Sequence, residues 1–177
     1  MLHPAGPPTM KSYQPIICRA MKAGEEQQVC DLVVRVFSDF VAPLYSPEGI
    51  QEFLTYAADP NQLRDRLLAN RFVLVVELEG RITGAIEMRN CDHISLFFVD
   101  SQLQRKGIGR ELWHRALDTC LTNQPALSKI TVHSSPNAVD AYQKLGFQAE
   151  GSEQTINGIR FVPMAFRVGN VTQHSGI

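Results

Sequence analysis

The chain has 177 residues, 44% of them hydrophobic, and a formal net charge of −1. That length and apolar content suit one domain with a full core. A near-neutral chain without a basic stripe excludes general nucleic-acid binding, where clustered Lys and Arg supply most of the affinity. No stretch approaches the ~20 apolar residues of a bilayer span, so no membrane partner is expected.

Residues 1–12 carry Pro4, Pro7 and Pro8 and lack both a basic n-region and an apolar h-region. They read as a disordered lead-in rather than a signal peptide, with Met10 as an alternative start, and the protein reads as cytoplasmic. Cys18, Cys30, Cys91 and Cys120 are scattered with no C-x-x-C pair. They are expected to be small buried hydrophobes in a reducing compartment, and without close ligand pairs no metal is expected.

Residues 16–19 read as a short strand. Val29, Leu32, Val33, Val36, Phe37 and Phe40 then recur at offsets of three and four, which predicts an amphipathic helix. Pro43 and Pro47 break the chain; Ile50, Phe53, Leu54 and Ala57 suggest a second helix, and Leu63, Leu67 and Leu68 a third after Pro60. Residues 72–76 form a buried strand that turns at Glu79-Gly80 into a hairpin with residues 82–88, and residues 94–99 are the next strand. The helix after Gly107 buries Ile108, Leu112, Trp113, Ala116, Leu117, Cys120 and Leu121. A strand at residues 129–133, a helix over about 137–145 and strands near 147–153 and 160–167, the last two flanking Asn157-Gly158, complete the pattern. This order predicts a mixed α/β sheet of about seven strands with helices on both faces. The domain spans residues 13–168, and 169–177 read as a flexible tail.

Gln104-Arg105-Lys106-Gly107-Ile108-Gly109 directly follows the 94–99 strand and opens a helix. Strand, basic Gly-rich turn and helix together suit a pyrophosphate. Glycine lets backbone approach a ligand closely, and the first N–H groups of a helix point outward at the positive end of its dipole. Arg105, Lys106 and Arg110 add charge. The spacing is neither that of a Walker loop nor that of a dinucleotide fingerprint.

A second segment follows about 30 residues on, Asn137-Ala138-Val139-Asp140-Ala141-Tyr142-Gln143-Lys144-Leu145-Gly146-Phe147. With it, the chain resembles the GNAT superfamily of acyl-CoA-dependent N-acetyltransferases over residues 16–167. Gln104, Gly107 and Gly109 fit the family's Q/R-x-x-G-x-G/A motif. Asn137, Tyr142, Gly146 and Phe147 match its later N-x-x-A-x-x-x-Y-x-x-x-G-F pattern, with the small residue displaced in position.

The resemblance implies the GNAT fold, with a mostly antiparallel sheet, and acetyl-CoA as co-substrate. The backbone of Phe97, Phe98 and Val99 would pair with the pantetheine. The N–H groups of Arg105, Lys106, Gly107, Ile108, Gly109 and Arg110 would hold the pyrophosphate, with Gln104 fixing the turn. Tyr142 matches the general-acid tyrosine, or else closes the core edge. Asn137 matches a position that contacts CoA, or else caps its helix. Some members carry a catalytic Glu six residues before the position of Val99, where this chain has His93. His93 is a candidate base at neutral pH, or a surface residue at a strand start. Strand alternation puts it on one face with Ser95, Phe97 and Val99. Glu87 is the competing base, and Asp92 a third candidate. His133, Ser134 and Ser135 line the thioester pocket or form a turn.

The expected activity is acetyl transfer to a primary amine of a small molecule or, alternatively, a peptide N-terminus. The acceptor cleft would lie between residues 40–56, with Tyr45, Phe53 and Tyr56, and residues 155–166. Homodimerisation is common in the family. A noncatalytic acyl-CoA sensor and transfer of a longer acyl group are the rival readings.

Overall fold

A computed structural model describes residues 16–169. The expected lead-in at 1–12 and residues 170–177 of the expected tail lie outside them. The elements run β1 (Ile17–Ala20), α1 (Glu26–Phe40), α2 (Pro47–Ala57), α3 (Pro60–Leu67), β2 (Arg71–Leu78), β3 (Arg81–Arg89), β4 (His93–Val99), α4 (Ile108–Asn123), β5 (Lys129–Ser134), α5 (Val139–Lys144), β6 (Gln148–Ala149), β7 (Gln154–Ile156) and β8 (Ile159–Arg167).

The strands form one mixed sheet in the order β1-β2-β3-β4-β5-β8-β6, with β7 paired to β8. Every pairing is antiparallel except β4 with β5, which α4 joins as the crossover a parallel pair requires. Two hairpins close on residues of positive φ, Glu79 (52°) with Gly80 (73°) and Asn157 (50°) with Gly158 (76°). Such turns twist with the strands they join. Pro47 and Pro60 start their helices, and each N-cap side chain takes up a free amide: Ser46 Oγ accepts from Gly49 N–H at 3.2 Å, Asp59 Oδ1 from Asn61 N–H at 2.8 Å.

Helices cover both faces. On one, Trp113 of α4 meets the rings of Phe147 and Phe166 at 4.8 and 5.1 Å between centroids. On the other, the apolar stripe of α1 buries Val29, Leu32, Val33, Val36 and Phe37, with Phe53 of α2 stacked on Phe37 at 3.9 Å.

The strand count differs from expectation. The segment foreseen as a strand at 147–153 is strand only at Gln148–Ala149 (β6), and a further short strand, β7, follows it at Gln154–Ile156. Ala149 pairs with Met164, so the next residue faces Pro163, which has no N–H to continue the ladder. The helix foreseen from Asn137 starts as a 3-10 turn over Pro136–Ala138 and becomes α-helical at Val139.

One register shift matters for the site. Glu87 pairs with Leu96 and Met88 with Ile94, so Ser95 is the extra residue of a β-bulge.

Candidate active site

β4 and β5 are paired only at His93 with Thr131 and Ile94 with Val132. Beyond that point both strands continue, β4 to Val99 and β5 to Ser134, and they diverge. A wedge opens between them whose vertex lies at Ser95 and whose wide end meets the Gly turn. Backbone of β4 facing β5 there has no strand partner, the condition under which an extended ligand can pair with it.

The turn is held by its own side chains. Gln104 Nε2 donates to the Val99 carbonyl at 3.0 Å. Asp100 accepts from Gln102 N–H at 3.1 Å and from Arg35 Nη2 at 2.9 Å, which ties the turn to α1. Arg105 (φ 62°) and Gly107 (φ 83°) both take left-handed conformations that reverse the chain into α4. The first α4 amide bonded within the helix is Glu111, to the Gly107 carbonyl at 3.0 Å, so the N–H groups of residues 107–110 precede the ladder and face outward. Arg105, Lys106 and Arg110 are exposed, and among the described residues none of them is ion-paired. A Cβ on Gly107 would meet nothing within 4 Å, and one on Gly109 only Phe97 Cζ at 3.7 Å and Val99 Cγ2 at 3.9 Å. At Gly107 the protein thus leaves open the space a Cβ would fill, and the cradle fits the pyrophosphate of CoA.

Tyr142 lies across the wedge from β4. Its ring meets Phe97 at 6.0 Å and Phe147 at 5.3 Å, both edge-on. Its hydroxyl has no partner among the described residues, and it is not sealed from solvent. Burial raises its pKa, which keeps the hydroxyl protonated near neutrality.

Asn137 is committed elsewhere. Its Nδ2 donates to the Phe40 carbonyl at 2.8 Å and its Oδ1 accepts from Ser135 Oγ at 2.8 Å. The expected cap is not formed, because the N-cap of α5 is Ala138, and the amide is not free to meet a ligand.

The bulge corrects the expected faces of β4. Phe97 and Val99 turn toward α4, whereas Leu96 and Phe98 turn toward α1. His93 pairs with Arg89 and bonds through Nδ1 to Thr131 Oγ1 at 2.8 Å. Ile94 belongs to the α4 side, so His93 shares the α1 side with Leu96 and Phe98, opposite Phe97 and Val99. The Thr131 hydroxyl donates to the Asp92 carbonyl at 3.2 Å, which assigns the proton to Nδ1 and leaves Nε2 as the lone pair. Burial, then the charges of Arg89, His133 and Arg71, push the His93 pKa down to about 4. His133 stands 5.3 Å from His93 and stacks on Phe161 at 4.2 Å. Ser134 is buried, its Oγ donating to the Ser135 carbonyl at 2.9 Å, and Asp92 is exposed.

Glu87 is not an open base. It is buried at 1% exposure and bound by Arg66 (Nε to Oε1 and Nη2 to Oε2, both 3.0 Å), Arg71 (Nη1 to Oε1, 3.1 Å) and Tyr56 (hydroxyl to Oε1, 3.4 Å). Three donors crowd Oε1 and one guanidinium N–H takes Oε2, so the carboxylate is committed to the two arginines rather than presented to an amine. Of the other aromatic residues expected in the cleft, Phe53 is stacked in the core and Tyr45 packs edge-on to Phe37 at 5.7 Å. The two expected walls also touch: a Cβ on Gly49 would strike the Gly158 carbonyl, and Arg160 Nη1 donates to the Leu44 carbonyl at 3.3 Å.

Sequence reading missed Arg35, Arg66, Arg71 and Thr131. One signal was present. A Glu amid the apolar residues of β3 requires a cation, and Arg71 lies at the start of the neighbouring strand.

Among the described residues, no group of three or more His, Cys, Asp or Glu side chains is placed to hold a metal, and no helix is long and apolar enough to cross a membrane. A family model for an acetyltransferase (GNAT) domain matches residues 41–168. Similar solved structures include a GCN5-related N-acetyltransferase from Rhodopseudomonas palustris, with 22% identity, 86% of this chain and 96% of that one covered and a TM-score of 0.72. The PaiA N-acetyltransferase from Thermoplasma acidophilum in complex with coenzyme A superposes with a TM-score of 0.70 at 15% identity, covering 86% and 99%. An aminoglycoside 6'-N-acetyltransferase complexed with coenzyme A does so with a TM-score of 0.63 at 13% identity, covering 85% and 96%. No curated protein sequence matches the chain significantly.

Proposed function

The chain belongs to the GNAT acetyltransferase family, and on that premise we propose that it transfers the acetyl group of acetyl-CoA directly to the primary amine of a small molecule. The observation that carries this reading is the divergence of β4 from β5 beyond Ile94 and Val132, at the foot of a basic turn lined with amides.

Acetyl-CoA, when bound, supplies the activated acyl group. The residues of the chain do the rest. Backbone at Phe97, Phe98 and Val99 pairs with the pantetheine, amides of residues 105–110 hold the pyrophosphate, and Arg105, Lys106 and Arg110 offset its charge. The acceptor enters from the α1 side of the sheet, where Ser95, His93 and Phe98 face. Its amine must arrive neutral, although an alkyl ammonium has a pKa of about 10.4. His93 Nε2, neutral at pH 7, accepts a hydrogen bond from the attacking amine and passes the proton released as the C–N bond forms on to solvent. Tyr142 donates a proton to the thiolate released as the C–S bond breaks.

The test is calorimetric titration with acetyl-CoA, CoA and NADH, then thiol release on a panel of amines. The reading expects binding of acetyl-CoA and CoA without NADH, and thiol release on at least one amine. Absence of CoA binding overturns it. Binding without release on any amine leaves only a CoA-binding module.

A further inference from the structure

The acceptor side of the wedge carries more positive charge than its own carboxylate balances. Arg66 alone matches Glu87 fork to fork, with two bonds of 3.0 Å, and its Nη1 goes to the Tyr56 carbonyl at 2.7 Å. Its guanidinium also lies 4.0 Å from the centroid of the Tyr56 ring. Arg71 is therefore a second guanidinium on a carboxylate that is already paired.

All bonds of Arg71 leave from Nη1: to the Tyr56 hydroxyl at 3.0 Å, Glu87 Oε1 at 3.1 Å and Ser95 Oγ at 3.2 Å. The N–H groups on Nε and Nη2 have no partner among the described residues, and neither nitrogen is sealed from solvent. The side chain is only 15% exposed. Burying a second guanidinium beside one carboxylate is costly unless something else answers its charge. The open Nε/Nη2 edge is the edge with which Arg66 grips Glu87, and it matches the two oxygens of a carboxylate.

Its place decides what that something is. Ser95 is the bulge residue and the first of β4 beyond the last pair with β5. The Nη1 corner of Arg71 thus stands at the vertex of the wedge, on the face from which the acceptor enters, and the open edge belongs to the same planar group. Arg89 adds charge to the same face, pairing in register with both Arg71 and His93.

We propose that Arg71 anchors an anionic group of the acceptor, so that the preferred acceptors are amines bearing a nearby carboxylate, as in amino acids, rather than plain alkyl amines or polyamines. This rests on the acetyl-transfer reading for the identity of the wedge. Glu87 and Arg66 act as positioning residues, holding the Arg71 fork in place from behind.

The experiment titrates the protein, with and without saturating CoA, with two matched pairs of reaction products. These are N-acetylglycine against N-methylacetamide, and N-acetylphenylalanine against N-phenethylacetamide, each pair differing by one carboxylate. At least one acid is expected to bind roughly tenfold or more tightly than its neutral partner, the effect of one charge-assisted pair. Arg71→Gln is expected to remove that preference and Arg71→Lys to keep part of it. Equal affinity within both pairs, no binding of either acid, or an undiminished preference in Arg71→Gln overturns the proposal. If Arg71→Gln does not fold, the wild-type pairs and Arg71→Lys decide. Failure of the acetyl-transfer reading appears separately, as acetyl-CoA that does not bind or releases no thiol with any amine.

Discussion

The side-chain amide of Asn137 donates to the carbonyl of Phe40 at 2.8 Å, joining the turn after β5 to the last residue of α1. That carbonyl is one of the four a helix leaves without partners at its C-terminus, so the bond satisfies an orphan acceptor as well as bridging two elements. It fixes where α1 hands over to α2 above the acceptor side. Asn137→Ala is expected to lower stability by about 1 kcal/mol and to raise KM for the amine, while leaving the affinity for acetyl-CoA unchanged. Urea denaturation with parallel titrations checks this; weakened acetyl-CoA binding would instead assign Asn137 to the cofactor.

Gly107 and Gly109 separate backbone strain from ligand approach. Gly107 has φ 83°, so a branched side chain there is strained although nothing lies within 4 Å of its Cβ position. Gly107→Val should cost about 1–2 kcal/mol of stability and most of the affinity for acetyl-CoA. At Gly109 a Cβ makes only ordinary contacts with Phe97 and Val99. Gly109→Ala should therefore leave the melting temperature nearly unchanged and still weaken binding, because the methyl occupies space reserved for the ligand. Wild-type affinity in Gly109→Ala would move the pyrophosphate away from this turn.

Glu87 is a structural counter-charge. Removing it leaves two guanidiniums, Arg66 and Arg71 at 13% and 15% side-chain exposure, facing one another uncompensated. Glu87→Gln should destabilise the fold by about 3 kcal/mol, the cost of breaking a buried pair from one side. A further Arg66→Met change should recover part of that loss by removing one of the two unpaired charges. If Glu87→Gln instead keeps full stability and abolishes turnover, the carboxylate is a base after all.

What the sequence conveyed follows from which interactions are local. The α1 stripe, the Glu79-Gly80 and Asn157-Gly158 turns and the strand–turn–helix at Gly107 each rest on neighbours within a few residues, so periodicity and turn chemistry expose them. The face of His93 does not. It depends on a single extra residue, Ser95, whose bulge has no signature in composition and reverses the alternation beyond it. The early end of β6 at Ala149 depends on Pro163, a strand away across the β6–β8 ladder. The Arg66 contact with Glu87 joins α3 to β3 across 21 residues, so the need for a cation was visible and its full supply was not.

His93 sets a pH dependence whose sign is fixed by its environment. Burial first, then the charges of Arg89, His133 and Arg71, hold its imidazole at about 4. In the unfolded chain the same group takes its proton near 6.5. Between those values the unfolded state binds a proton that the native state does not, so stability falls as pH drops from about 6.5 to about 4 and this contribution levels off below. Above pH 6.5 the group is neutral in both states and adds no slope. The asparagine of His93→Asn offers an N–H donor near Thr131 and does not titrate, so the variant should gain on the wild type across that window. His133, also lowered by burial and by Arg89, titrates in both proteins, so the difference reports His93 together with its coupling to His133. Urea denaturation of both at intervals from pH 4 to pH 7.5 measures it, and parallel curves would mean that the imidazole is not held neutral by the fold.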